Sequence, residues 1–145
     1  MAGNPELAKA PERGGPRILV AEDSPSNQMV ALTMLARAGY AATAVSNGEE
    51  ALAEVAGGNY DLVLMDVAMP QMDGLAATRE IRRLERGKSR LPIIAMSASI
   101  MEEEIIDCLN AGMDDSLPKP FNKRELLAKL DCWLAAPDLR RRVAT

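Results

Sequence analysis

Four places in the chain carry residues that could do chemistry together: Glu22-Asp23, Asp66, Ser97 and Lys119. Each closes a short apolar run. Ile18-Leu19-Val20-Ala21 leads into the acidic pair, Leu62-Val63-Leu64-Met65 into Asp66, Ile93-Ile94-Ala95-Met96 into Ser97, and Leu117-Pro118 into Lys119. Gathered in one crevice, the carboxylates make a site of oxygen ligands. Carboxylates about 4 Å apart repel by roughly 4 kcal/mol per pair at an effective dielectric of about 20, so such a cluster needs protons or a cation. Oxygen ligands with positions left for water suit Mg²⁺, which takes one or two carboxylates and completes its shell with water and phosphate oxygens. Lys119 adds a positive charge and Ser97 a hydroxyl donor. That combination fits phosphoryl transfer to Asp66 as the attacking carboxylate. On its own stretch Asp66 reads equally well as a helix-capping or turn aspartate; the convergence of four run ends favours chemistry.

The elements that must position these residues alternate strictly. The run ending at Asp66 is continuous, apolar and bounded by Pro70 and Gly74, the pattern of a strand buried on both faces of a parallel sheet. Before it come a strand at 17–21, a helix opened by Ser24-Pro25 and stopped by Gly39, and a weaker strand at 41–45. Met29, Val30, Leu32, Leu35 and Ala38 keep helical spacing in that helix. An Asn47-to-Glu50 capping box then opens a helix running to Gly57-Gly58. After the central strand, a helix from Asp73-Gly74 to about Arg86 carries Leu75, Thr78, Ile81 and Leu84 inward. A strand at 91–96 is followed by a helix with Met101, Ile105, Cys108 and Leu109 on one stripe, stopped at Gly112. Ser116-Leu117-Pro118 suits an edge strand. The last helix opens on a capping box at Asn122 to Glu125 and buries Leu126, Leu127, Leu130, Trp133 and Leu134.

Five βα repeats imply an α/β fold with right-handed crossovers and helices on both faces. A flavodoxin-like, doubly wound five-stranded parallel sheet of order 2-1-3-4-5 with five helices, in a single domain, is the expectation. That order makes strands one and three neighbours and brings Glu22, Asp23 and Asp66 into one crevice.

Composition narrows the classes. The 145 residues suffice for one domain with a core, at 48% apolar and 26% charged. Residues 1–16 read as a disordered leader or a linker, 17–135 as the folded domain, and 136–145 as a tail. A net charge of −4 argues against a nucleic-acid partner. No apolar stretch approaches a membrane span, so no membrane contact and a cytoplasmic location are expected. Without histidine, the chain offers neither a phosphohistidine nor an imidazole base. Cys108 and Cys132 lie in helical apolar patterns and read as buried thiols, not a zinc site.

These residues resemble the receiver domain of bacterial two-component response regulators. The resemblance covers about residues 17–134. It is carried by Ile18-Leu19-Val20-Ala21-Glu22-Asp23, Met65-Asp66-Val67-Ala68-Met69-Pro70-Gln71-Met72-Asp73-Gly74, Ile93-Ile94-Ala95-Met96-Ser97-Ala98 and Leu117-Pro118-Lys119-Pro120-Phe121. The second and fourth motifs look most like receivers of hybrid sensor kinases and phosphorelays. The resemblance implies that Asp66 accepts a phosphoryl group from a phosphohistidine on a histidine kinase or histidine phosphotransfer protein. By it, Asp23, Asp66 and the backbone carbonyl of Ala68 bind Mg²⁺, Glu22 holds a metal-bound water, and Ser97 and Lys119 contact phosphoryl oxygens. The Lys119-Pro120 bond is expected to be cis. Such a domain catalyses its own phosphorylation and dephosphorylation but is a regulatory module before it is an enzyme.

Two positions depart from the family pattern. Three residues before the lysine, where receivers usually carry a Tyr or Phe that turns inward, stands Ser116. Serine replaces the commoner threonine at Ser97, with the same donor. Ala68 and Ser99, at positions that tune water access, are small and uncharged, which predicts a phosphoryl lifetime set by the acyl phosphate itself. Met29, with Pro25, Ser26, Pro120 and Phe121, rims the site as a docking surface, or else Met29 is core and Phe121 a hydrophobic staple. After Trp133 too few residues remain for an output domain. That suits a single-domain regulator acting on an output protein, or a piece of a hybrid histidine kinase. Two other readings stay open: a phosphorylation-independent scaffold, and a Mg²⁺-dependent phosphatase with an aspartate nucleophile, for which Ala68 stands where a second acid is wanted.

Overall fold

Leu62–Asp66, buried at all five positions, forms the central strand β3, and the sheet extends to both sides of it. The structure, a computed structural model, describes residues 16–58, 60–85, 90–97 and 102–134. The expected leader (apart from Pro16), the expected tail, and the expectations for Ser99 and Met101 lie outside these residues. The elements alternate as β1 (Arg17–Ala21), α1 (Pro25–Arg37), β2 (Ala41–Val45), α2 (Gly48–Ala56), β3, α3 (Gly74–Glu85), β4 (Ile93–Ser97), α4 (Glu102–Ala111), β5 (Asp115–Pro118) and α5 (Lys123–Leu134). All pairings are parallel, in the order β2-β1-β3-β4-β5.

Alternate strand residues feed two cores, as the two-residue period of a strand requires. Ile18, Val20, Leu62, Leu64, Ile94 and Met96 meet Ala31 and Leu35 of α1 and Leu126 and Leu130 of α5. On the other face, Leu19, Ala21, Val63, Met65, Ile93 and Ala95 meet Ala51 of α2, Ala77 and Ile81 of α3, and Cys108 of α4. Truncating any of the large members to alanine costs about 2–5 kcal/mol.

The helix starts follow their caps. Ser24 accepts from the Asn27 N–H with Pro25 in the first turn. Asn122 and Glu125 exchange both bonds of a capping box, at 3.0 and 2.8 Å. At Asn47 the box is shifted: Asn47 Oδ1 accepts from Glu50 N–H, but Glu50 reaches back to Ser46 N–H.

Several side chains expected inside are not. Leu84, Ile105 and Leu109 are exposed, and Cys132 is an exposed thiol. In α3 the buried row runs through Gly74, Ala77, Thr78 and Ile81, and the next inward position belongs to Glu85. In α4 it runs through Cys108 and Ala111, and one turn earlier through half-buried Glu104. A carboxylate thus holds an inward position in each helix and the neighbouring leucines and isoleucine turn out. In α5 the row Leu126, Leu130 leaves Cys132 on the outer side. Met29 is 65% exposed, which removes the reading of it as core.

Glu85 belongs to a polar network under the amino edge of the sheet. Arg82 donates to Glu85 Oε2 (2.7 Å), the Leu91 carbonyl (2.8 Å), the Gly112 carbonyl (2.9 Å) and Asp114 Oδ2 (2.8 Å). Arg90 joins from outside, bonding Asp114 Oδ1 and the Gly112 carbonyl. Gly112 has φ +111° and lies against Arg82, so a Cβ there would sit 2.8 Å from Arg82 Cγ.

Candidate functional site

The site follows from strand register. Ala21 of β1 pairs with Met65 of β3, so Glu22 and Asp23 leave the sheet beside Asp66. Asp66 pairs with Met96, which puts Ser97 one step beyond, and Ser97 pairs with Pro118, immediately before Lys119. The Lys119-Pro120 peptide bond is cis. The structure therefore brings Glu22, Asp23, Asp66 and Lys119 together and sets Ser97 at the rim.

Lys119 Nζ lies 2.8 Å from Glu22 Oε1 and 3.3 Å from Asp66 Oδ2. The second oxygen of Glu22 accepts from the Ser24 N–H at 3.1 Å, and Asp66 Oδ1 from the Ala68 N–H at 3.3 Å. Glu22 and Asp66 are buried while Asp23 is exposed. Burial, followed by the Glu22 charge, pushes the Asp66 carboxyl up to about 6, against the pull of Lys119. For Glu22 burial also acts upward, but the Lys119 bond and the Ser24 N–H outweigh it and hold the group below its ordinary value. Burial works against the charge on Lys119 too, and Glu22 and Asp66 overcome it, raising the ammonium's pKa.

Carboxylate oxygens of Glu22, Asp23 and Asp66 all lie within 4.8 Å of one another. Three hard oxygen donors facing a single lysine leave an excess of negative charge, and one donor is open to water. This is a donor set that fits Mg²⁺.

Sequence reasoning missed three supports. Gln28, on α1, donates from Nε2 to the carbonyls of Glu22 (2.6 Å) and Val45 (3.2 Å), tying the ends of β1 and β2 beneath the acidic pair. Gly74 allows α3 to start against Asp66: a Cβ there would overlap the Asp66 carbonyl oxygen, and the Gly74 N–H donates to Val67 O at 3.0 Å. Glu104 accepts the Ser97 hydroxyl at 3.1 Å, so that hydroxyl is engaged with α4. Gly74 is legible as the glycine that opens the helix but not as a support of Asp66, and Glu104 leaves a trace by sharing the row of Cys108 and Ala111. Ser116 lines a small cavity of about 30 Å³ with Ala95, Ser97, Glu104 and Cys108.

On the α1 side, Glu22 and Lys119 open onto a cavity of about 300 Å³ bounded by Asn27, Val30, Pro120 and Phe121. Met29 and Val30 stand exposed on the same helix.

The family model of the response regulator receiver domain matches residues 18–131. The chain belongs to this family. The receiver is 42% identical over 120 residues to the sensor protein GacS of Pseudomonas syringae pv. syringae, a match that covers 81% of this chain but 13% of GacS. The chain therefore spans a small part of the length of that relative. Among solved structures it is similar to the receiver domain of the sensor histidine kinase PA1611 from Pseudomonas aeruginosa PAO1, which carries a magnesium ion in its active site cleft. That likeness has a TM-score of 0.78 at 43% identity and covers 84% of this chain and 99% of the other. It is also similar to the receiver domain of Ssk1 from Saccharomyces cerevisiae, solved with the histidine phosphotransfer protein Ypd1. There the TM-score is 0.79 at 27% identity, covering 84% and 90%. The chain is thus a receiver domain of two-component and phosphorelay signalling, homologous to those of sensor histidine kinases. Among the described residues, no helix is long and apolar enough to cross a membrane.

Proposed function

We propose that Asp66 is the phospho-acceptor of this receiver and takes its phosphoryl group from a phosphohistidine on a histidine kinase or histidine phosphotransfer protein. The observation that carries this reading is a buried carboxylate at the end of β3, 3.3 Å from Lys119 Nζ, inside a cluster of three carboxylates. One Asp66 oxygen forms a bond to phosphorus while the P–N bond to imidazole breaks and its electron pair stays on the nitrogen. Lys119 Nζ leaves its contact with Asp66 Oδ2 to donate to a phosphoryl oxygen, and the Ser97 hydroxyl donates to another. Asp23, Asp66 and the Ala68 carbonyl would hold Mg²⁺, with Glu22 acting through a water. Bound there, the ion supplies positive charge against the phosphoryl oxygens. The magnesium ion in the PA1611 receiver supports this assignment. Attack of water on the aspartyl phosphate reverses the modification, so the domain catalyses both its own phosphorylation and its loss.

The donor approaches across α1, where Val30 borders the cavity that opens at Glu22 and Lys119 and Met29 stands exposed on the same helix. The Ypd1–Ssk1 receiver complex supports a phosphotransfer protein as a partner of this kind. The working unit runs from residue 17 to 135, acts in the cytoplasm, and signals to an output protein by protein contact without nucleic acid. The GacS likeness favours a place within or beside a sensor histidine kinase.

Incubation with a small phosphoryl donor, followed by intact-mass analysis, tests the central claim. One phosphoryl adduct is expected with Mg²⁺, none without it, and none in Asp66→Asn. A folded wild-type protein that takes up no phosphoryl group from either a small donor or a phosphohistidine protein would transfer the lead to the scaffold reading.

A further inference from the structure

The Ser97 hydroxyl has one hydrogen to give, and in this structure Glu104 Oε1 accepts it. The Ser97 main chain is fixed independently: its carbonyl accepts from the Lys119 N–H at 2.8 Å, and the residue is paired in the sheet with Pro118. With the main chain held, the freedom left to the hydroxyl is rotation about χ1 between staggered wells. Glu104 sits on the inward row of α4, one turn before Cys108, and is half-buried. The gap it borders, about 30 Å³ and lined also by Ser116 and Cys108, has room for about one water and no ring to fill it.

We propose that Glu104 is a positioning residue that keeps the Ser97 hydroxyl engaged on α4 until a phosphoryl group on Asp66 competes for it. The idea rests on the reading of Asp66 as the phospho-acceptor and deepens it. A phosphoryl oxygen and the Glu104 carboxylate cannot both receive the single hydrogen, and the more highly charged acceptor forms the stronger bond. Once the hydroxyl turns, Glu104 loses its donor and faces a like charge across the crevice. The first turn of α4, which also carries Glu102 and Glu103, then loses this tie to β4. The other end of the helix stays fixed, because the Gly112 carbonyl is held by Arg82 and Arg90 and Met113 N–H bonds the Cys108 carbonyl. Occupancy of Asp66 is thus converted into loosening of one end of α4, without an aromatic residue on β5.

The test uses the full chain and beryllofluoride with Mg²⁺ as the phosphoryl mimic, titrated against wild type, Glu104→Gln, Glu104→Ala, Ser97→Ala and the Ser97→Ala/Glu104→Ala double variant. Glu104→Ala is expected to bind the mimic about three- to tenfold more tightly than wild type, because no hydrogen bond has to be broken first. Glu104→Gln, a neutral and weaker acceptor, should fall between. The gain should vanish on the Ser97→Ala background, which a merely structural role for Glu104 does not predict. Amide exchange over residues 102–106 should rise on adding the mimic to wild type and be raised already in mimic-free Glu104→Ala. Equal or weaker binding by Glu104→Ala, or the same gain with Ser97 absent, overturns the proposal. If no variant, wild type included, takes up the mimic, the phospho-acceptor reading falls and this one with it.

Discussion

At the carboxyl edge of the sheet three carboxylates share Lys119; at the amino edge Arg82 and Arg90 meet Glu85 and Asp114. Both clusters bury charge, but only the second is balanced. Arg82 spends its donors on two carboxylates and two main-chain carbonyls, and Asp114 and Glu85 also accept the N–H groups of Ile93 and Leu91. The first cluster carries excess negative charge, and burial followed by the Glu22 charge lifts the Asp66 carboxyl to about 6. One edge is built to hold the loops together, while the other holds a strained set of like charges that a cation or a phosphoryl exchange can relieve. The same kind of change, removing one charge, should therefore have opposite signs at the two edges.

The larger effect belongs to the balanced edge. Arg82→Met keeps most of the side-chain volume but leaves Asp114 and Glu85 buried without their main partner. Breaking a buried, hydrogen-bonded pair from one side costs about 3–5 kcal/mol. Urea unfolding should show a midpoint lowered accordingly with an unchanged slope. A loss within experimental error would mean that the network is ornamental and the comparison false.

At the other edge, Asp66→Asn should stabilise the metal-free protein. Raising a carboxyl from 3.8 to about 6 corresponds to about 3 kcal/mol of destabilisation when the group is ionised. That figure already includes the attraction to Lys119; the cost of burying the asparagine amide in the same place offsets part of it, leaving a gain of about 1–2 kcal/mol at pH 7.5 in the presence of a chelator. The sign with pH follows. Because the folded value lies above the unfolded one, the wild type binds its proton more tightly when folded and recovers stability as pH falls from above 6 toward 4. The advantage of the asparagine variant should shrink over that window. With Mg²⁺ saturating at pH 7.5 the order should reverse, since the ion stabilises only the carboxylate. A variant less stable than wild type at pH 7.5 without metal would show that the acidic cluster is not under the tension described.

Much of this was legible in the sequence because it depends on local pattern. The unbroken run to Asp66, bounded by turn residues, reads as a doubly covered strand, and βα alternation points to which strand ends converge. Once strands one and three are neighbours, Glu22, Asp23 and Asp66 must meet. The two capping pairs and the glycine stops gave the helix limits to within a residue or two. What stayed hidden depends on partners far along the chain. Arg82 meets Asp114 across 32 positions and Gln28 meets Val45 across 17. The inward places of Glu85 and Glu104 run against the hydrophobic spacing, which predicts Leu84, Ile105 and Leu109 facing the core where the structure exposes them. In each case a carboxylate faces inward because a donor waits there, Arg82 for one and Ser97 for the other, and no periodicity in the sequence marks that donor.

The smallest effect sharpens the comparison within the balanced edge itself. Arg90 and Arg82 grip the same Asp114, each at 2.8 Å, but the Arg90 side chain is 43% exposed and that of Arg82 only 14%. Water and salt screen the outer limb, so Arg90→Ala should cost no more than about 0.5–1 kcal/mol at low ionic strength. In about 1 M NaCl, where the screening length falls to about 3 Å, even that difference should disappear. The Arg82→Met penalty should persist in the same salt, because it arises from desolvated groups left without partners and not from attraction through solvent. Urea midpoints of the two variants with and without salt separate these origins. If both penalties faded together, the Arg82 cluster would be a surface ion-pair network like any other, and the contrast with the acidic edge would reduce to a difference in net charge.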